Sequence, residues 1–181
     1  MANTGGKDLI AGTTASVMAL DEKTGKLTIL NCGDSRSVVA TSQGKVRFVT
    51  QDHTPQSEEN RLQQGIDAGL DYSLPKCRVN RWSLSVGAYE YNLARSLEGP
   101  FATSKGIVSD PDINTLSVAS GEILLSASDG LWEVMDTDEV VRDLHNMRAK
   151  HMSASDSAQA LCSMALKKGS SDNVSVVVVF L

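Results

Sequence analysis

An α+β fold, with strands stacked in layers and helices outside them, is predicted from three features of the sequence. The first half of the chain is mostly short apolar runs separated by turn residues. Two later segments carry apolar residues at helical spacing, and the chain closes on a valine-rich run, Val174 to Leu181. Strands grouped together with helices gathered elsewhere suggest an α+β sandwich rather than alternating βα units. At 181 residues, one domain is expected, large enough to bury most of the surface of its unfolded chain.

The elements follow in order. Thr13 to Leu20 reads as a strand, ended by the hairpin turn Asp21-Glu22-Lys23-Thr24-Gly25. Lys26 to Asn31 and Ser35 to Thr41 are the next strands, then the turn Ser42-Gln43-Gly44 and the strand Lys45 to Val49. Glu58 to Gln64 predicts a short helix, with Ser57 as N-cap and Gly65 as stop. Arg78 to Val86 has period-two character, and Gly87 to Ser104 has no clear pattern. Asp136 and Glu139 have the spacing of a capping box. Behind them Val140, Val141, Leu144 and Met147 share one helical face, with Arg142, His145 and Arg148 on an opposite, solvated face. A second helix carries Ala158, Leu161, Cys162 and Ala165 on one face. It ends at Lys167-Lys168-Gly169, cations before a glycine, as a helix C-terminus favours. The valine-rich final run predicts a buried central strand.

Composition narrows the function classes. A formal charge of −5 speaks against a nucleic-acid partner, which usually meets a basic face, and 4% aromatic residues offer no stacking platform. Cys32, Cys77 and Cys162 are widely spaced and odd in number, which predicts reduced thiols inside the cell, in cytoplasm or nucleus. Cys32 and Cys162 read as small buried residues, and no Cys-His cluster has zinc spacing. The segment Met1 to Asp8 is polar, without a signal core. The longest apolar run, Val174 to Leu181, is far short of the roughly 20 residues that span a bilayer, so no membrane partner is expected.

The segment richest in chemistry is Ala127-Ser128-Asp129-Gly130-Leu131-Trp132-Glu133-Val134, which follows the apolar run Glu122 to Ala127. A carboxylate fixed at a strand end supplies oxygen to a hard divalent cation. The same residues also suit an ordinary Asp-Gly turn. Two more acids stand at strand edges: Asp34 in Asn31-Cys32-Gly33-Asp34-Ser35-Arg36, and Asp172 in Gly169-Ser170-Ser171-Asp172-Asn173. Gathered at one end of a sheet, such acids would repel one another unless a cation sat between them.

With these segments the chain resembles the metal-dependent protein serine/threonine phosphatases of type 2C. The matching stretches run in the family's order: Gly12-Thr13-Thr14-Ala15, Asn31 to Arg36, and Thr50-Gln51-Asp52-His53-Thr54-Pro55 with Glu59 and Arg61 behind it. Arg78-Val79-Asn80, Leu93-Ala94-Arg95-Ser96-Leu97, Ser128-Asp129-Gly130-Leu131-Trp132 and Gly169 to Asn173 follow. The resemblance covers nearly the whole chain. It implies two packed antiparallel sheets flanked by helices, with a Mg²⁺ or Mn²⁺ site at one end, between the sheets. It implies Asp129 and Asp172 as ligands of a catalytic metal pair. Asp34 and Glu133, with Asp129, would be ligands of a weaker third ion. The implied reaction is hydrolysis of phosphoserine and phosphothreonine in phosphoprotein substrates, by water held between two metals about 3.5–4 Å apart. No residue beyond the metal ligands is assigned a catalytic role. His53, Arg36 and Trp132 are expected to be structural: His53 shaping the loop before a helix, Arg36 tying oxygens together, Trp132 packing at the base of the site.

The chain also departs from the pattern. The family's Asp-Gly-His-Gly motif, whose aspartate bridges both ions, has no counterpart here, nor has an upstream phosphate-gripping arginine. Leu97-Glu98-Gly99 stands where the family has Leu-Gly-Asp, and Glu133 where aspartate is usual. The expectation is therefore a single type 2C domain, residues 1–181, incomplete at its N-terminus and inactive alone. Exposed sheet edges would then favour self-association or docking of the missing segment. The alternative is a catalytically dead relative serving as a binding or regulatory module.

Overall fold

The computed structural model describes residues 12–70, 73–78, 81–86, 89–98, 102–103 and 105–181. Strands β1 (Gly12–Thr13), β2 (Ala15–Asp21), β3 (Lys26–Cys32), β4 (Arg36–Ala40) and β5 (Val46–Val49) come first. Helix α1 (Glu59–Asp67) precedes β6 (Ser73–Arg78), β7 (Arg81–Val86), β8 (Tyr89–Tyr91), β9 (Leu97–Glu98), β10 (Asp112–Ser117) and β11 (Ile123–Ala127). Helices α2 (Asp129–Trp132), α3 (Thr137–Ala149) and α4 (Ala154–Lys167) and strand β12 (Val176–Phe180) complete the order.

Two antiparallel sheets form the body, one in the order β10-β3-β2 and the other in the order β12-β11-β4-β5. Strand alternation divides their side chains between two cores. Leu27 and Ile29 of β3 meet Val39 of β4 and Leu124 of β11, with Met18, Leu20, Phe48 and Leu116 around them. This is the inside of the sandwich. The neighbouring residues Val38, Ala40, Ile123, Leu125, Ala127 and Val178 face the other way, onto Leu131, Val140, Val141, Leu144, Leu161 and Ala165 of the helices. On the outer face of the first sheet, Val17 and Ile113 flank Leu30 in register and stay exposed. A third cluster joins Leu62 of α1 to Leu84 of β7 and to Ala94, Ala102 and Ile107.

The predicted strands and later helices are present, with shifted ends. Asp136 caps α3, its carboxylate accepting from the N–H groups of Asp138 (2.9 Å) and Glu139 (3.4 Å). The Glu139 carboxylate pairs with Lys168 at 2.5 Å. Gly169, at φ +96, closes α4 with the Ser170 N–H on the Ala165 carbonyl at 3.0 Å.

Four expectations are corrected. Helix α1 runs through Gly65 and stops at Gly69 (φ +89), where the Leu70 N–H reaches the Gly65 carbonyl at 2.9 Å. Ser57 is no N-cap: its hydroxyl donates to the Asp52 carbonyl (2.6 Å) and accepts from the Thr54 N–H. The face with His145 and Arg148 is packed, not merely solvated. The Arg148 guanidinium donates to the carbonyls of Gly121, Glu122 and Leu181 and lies over Phe180, and the His145 ring seats on Gly44. Strand β12 is an edge strand of its sheet, with Val177 63% and Val179 42% exposed, because among the described residues only β11 pairs with it. Within Arg78 to Val86 the strand is β7 (Arg81–Val86), which pairs antiparallel with β6, the strand that ends at Arg78. Val79, Asn80, Gly87, Gly99, Ser104 and the Met1 to Asp8 segment lie outside the described residues.

A buried ion network fastens α1 to the chain after β8. Glu58 meets Arg61 at 2.5 Å and Arg95 at 2.6 Å, and Arg95 reaches Asp112 at 3.1 Å. Arg61 also donates to the carbonyls of Ala94 (2.8 Å) and Gly106 (3.1 Å). Burial pushes the Glu58 carboxyl up, but the hydrogen bonds and charges of Arg95 and Arg61 outweigh it and hold it below the ordinary 4.5. A carboxyl depressed in the folded state contributes stability above its unfolded value and loses that contribution as pH falls through the folded one. Urea unfolding from pH 6 to pH 3 is therefore expected to show stability falling below about pH 4.5, with a flatter acid limb for Glu58→Gln. A second test concerns packing. A Cβ on Gly130 would lie 2.5 Å from the Asn173 carbonyl oxygen. Gly130→Ala should destabilise the chain by about 1–3 kcal/mol, measured by the same unfolding curves.

Candidate functional site

Two strand ends build the site. Strand β3 runs out at Cys32, and Gly33 turns the chain at φ +112 toward Asp34 and Ser35. A side chain at Gly33 would strike Thr14, whose Cγ2 lies 2.3 Å from the Cβ position, so both φ and space demand glycine. Strand β11 runs out at Ala127, and Asp129 opens α2. Because β4 pairs with β11 with Arg36 opposite Ala127, the turn before β4 and the turn after β11 emerge at the same end of the sheet.

There they border a cleft of about 360 Å³, lined by Asp34, Ser35, Ser128 and Asp129 together with Glu90 to Leu93 and Glu98. Gly12, Thr13 and Thr14 complete it. Among the described residues, the lining holds carboxylates, hydroxyls and an amide, and no cationic side chain.

Of the four acids expected as metal ligands, Asp34 and Asp129 line this cleft, both half-buried. Glu133 is exposed, one turn on at the end of α2, and is absent from the lining. Asp172 is exposed as well, its carboxylate accepting from the Asn173 N–H at 2.6 Å. Its loop is nevertheless fastened to the start of α2. The Ser128 hydroxyl donates to the Asn173 carbonyl (3.1 Å) and accepts from the Ser175 N–H (3.0 Å), and the Ser170 hydroxyl donates to the Gly130 carbonyl (2.7 Å).

The residues expected to be structural are each engaged in contacts within the fold. The Arg36 guanidinium takes Asp52 through two bonds of 3.0 and 2.7 Å, donates to the Thr137 hydroxyl at 2.8 Å and stacks 4.9 Å from the Trp132 ring. The Trp132 indole donates to the Ala127 carbonyl at 3.0 Å, bracing the turn that carries Asp129. His53 is wholly buried and touches Gly33 rather than the cleft itself.

The sequence reading missed Glu90, Tyr91 and Glu98, which come from the stretch without a clear period. Glu98 accepts from the Ser96 hydroxyl at 2.8 Å and lies against Gly12, its register partner across the β1–β9 pair. The buried Tyr91 hydroxyl has no hydrogen-bond partner, and burial, then the nearby Glu98 carboxylate, pushes it above its ordinary value. The signal for Glu98 was present in the sequence, as an acid displaced by one position from the family's aspartate.

The donor set fits a hard divalent ion in type, being all oxygen. It does not form a closed protein cage, since no group of three or more His, Cys, Asp or Glu among the described residues is placed to hold a metal. Two cleft carboxylates with water completing the shell is the way Mg²⁺ is commonly held.

Comparison with known proteins agrees with this architecture. The family model described as Protein phosphatase 2C matches residues 1–174. Protein phosphatase 1B of Bos taurus is 31% identical over 179 residues, covering 93% of this chain and 34% of that protein. A probable protein phosphatase 2C 32 of Oryza sativa is 32% identical over 186 residues, covering 94% of this chain and 42% of that protein. The chain thus spans between a third and a half of these relatives' lengths. Among solved structures, a C. elegans sex determining protein superposes with a TM-score of 0.75 at 25% identity, covering 92% of this chain and 40% of that one. Serine-threonine phosphatase 2C from Toxoplasma gondii does so with a TM-score of 0.76 at 22% identity, covering 96% and 59%, which speaks to fold alone. The chain belongs to the protein phosphatase 2C family.

Proposed function

We propose that the cleft is the metal-dependent part of a protein serine/threonine phosphatase site, acting on phosphoserine and phosphothreonine in protein substrates. The observation that carries this reading is that Asp34 and Asp129, from separate family motifs, line one carboxylate-rich cleft at the end of the sandwich. A Mg²⁺ or Mn²⁺ ion bound there would offset phosphoryl charge and acidify a water. Asp129 and Asp34 are the ligands this chain presents most directly. Asp172 joins the proposal through the bonds that fasten its loop to the first turn of α2, and Glu133 as the acid one turn beyond Asp129.

Asp34 and Asp129 can hold a hydrated ion, but without a further aspartate shared between two ions they leave a close metal pair short of bridging oxygen. On this reading the 181-residue chain is inactive or nearly so by itself. It is one type 2C domain that needs further polypeptide. A trough of about 350 Å³ between the sheets supports this, lined by Met18, Leu20, Leu27, Leu124, Val177 and Val179 and bordered by the edge strands β2 and β12. Such an open apolar trough suits an additional strand of a longer chain, or a second copy. Among the described residues no helix is long and apolar enough to cross a membrane, and an intracellular phosphoprotein is the proposed partner.

The test joins binding to turnover. Mn²⁺ should bind the chain weakly, as read by water-proton relaxation, and Asp129→Asn should abolish that binding. Hydrolysis of a phosphothreonine peptide should stay at the EDTA background. Robust Mn²⁺-dependent turnover lost in Asp129→Asn would overturn the inactivity of the isolated chain. Absence of any Mn²⁺ binding would overturn the metal reading and favour a binding module.

A further inference from the structure

His53 is wholly buried behind the cleft, and its ring and backbone bond two residues that adjoin the lining, Gly33 and Ala94. On one side its Nδ1 accepts the Gly33 N–H at 3.0 Å, and its own N–H donates to the Gly33 carbonyl at 2.9 Å. On the other its carbonyl accepts the Ala94 N–H at 2.8 Å, directly behind the lining residues Asn92 and Leu93. Because Nδ1 accepts, the ring proton sits on Nε2 and is donated to Asp112 at 3.2 Å. Asp112 is held in turn by Arg95, which is anchored on Glu58. Asn31 adds a second grip, its side-chain N–H₂ donating to the Gly33 carbonyl at 3.2 Å.

We propose that His53 is a positioning residue for the cleft, its imidazole holding Gly33 so that Asp34 stands on the lining beside Asp129. Three observations converge on this. Gly33 turns at φ +112, and both its N–H and its carbonyl are bonded to His53. The space on its other side is closed by Thr14. The His53 carbonyl also holds Ala94, next to the lining residues Asn92 and Leu93, so two separate stretches of the lining are tied to His53. The inference rests on the metal reading of Asp34 and assigns a new residue to it.

The test exploits the two ring nitrogens separately. An asparagine side chain carries an oxygen near the place of Nδ1, and a glutamine carries its polar atoms near the place of Nε2. His53→Asn should therefore keep the bond to Gly33, while His53→Gln should keep only the contact to Asp112. A role in filling the core alone would treat the two alike, or favour the larger glutamine. Two readouts are taken on the full chain. The first, made without metal, is hydrogen exchange of the Gly33 amide by NMR, expected to be protected in the parent and in His53→Asn and to lose protection in His53→Gln and His53→Ala. The second is Mn²⁺ affinity, expected to weaken by about tenfold or more in His53→Gln and His53→Ala and to be largely recovered in His53→Asn. Asp34→Asn marks the loss of the ligand itself. Equal Gly33 protection in parent and His53→Gln overturns the clamp. Protection lost in His53→Gln with Mn²⁺ affinity unchanged, while Asp34→Asn weakens it, overturns the positioning role. Mn²⁺ affinity unchanged in Asp34→Asn overturns the metal reading of that residue, and the amide pattern still judges the clamp.

Discussion

The antiparallel pairing of β4 with β11 is the constraint on which the rest of the structure depends. It joins two short strands far apart in sequence, with Leu125 opposite Val38 and Ala127 opposite Arg36. Both faces of this pair are buried, one against the second sheet and one against the helices. A slip of β11 by one residue would turn Leu124 toward the helices while Val39 kept its face, and it would also move Asp129 along the sheet relative to Asp34. The register that packs the core is therefore the register that brings the two acids to one cleft. Stability and site geometry are not separately adjustable here.

Beyond the two cores, the cleft end is held by polar contacts that each join distant segments. Arg36 gathers Asp52, Thr137 and the Trp132 ring; Ser128 and Ser170 tie the 170–175 loop to α2; and the Glu58–Arg95–Asp112 chain ends on the His53 ring. Paired buried charges such as Glu58 contribute less net stability than their number suggests, because desolvation offsets much of the attraction. Their larger effect is on geometry: they confine loops that apolar burial alone would leave free to drift. Asp34 and Asp129 stay half-buried on the cleft lining.

Much of this was legible in the chain. The strands of the first half and helices α3 and α4 follow from period, turn residues and caps, because those signals are local. Asp34 and Asp129 were legible as acids just beyond apolar strands. Less was readable where position depends on a distant partner. Helix α1 passes Gly65 and ends only at the turn of Gly69, while Glu58 before its start is held by Arg61 of the helix itself and by the distant Arg95. The valine run of β12 has the composition of a central strand, but its place in the sheet depends on what lies beside it. Arg148 looks like a solvated helix residue until the carbonyls of Gly121, Glu122 and Leu181 are brought to it.

By itself the sequence determined the α+β class, the identity of most elements and the kind of chemistry, since periodicity, capping and acid placement are properties of neighbouring residues. Only the tertiary structure decided which acids share a cleft. It put Glu90 and Glu98 on the same lining as Asp34 and Asp129, and kept Glu133 and Asp172 off it. It also bonded His53 to both Gly33 and Ala94, each next to a stretch of the lining. The reason is physical. A carboxylate's distance from another, or an imidazole's choice of partner, is set by strand register and by packing between segments tens of residues apart, and no local pattern carries that information.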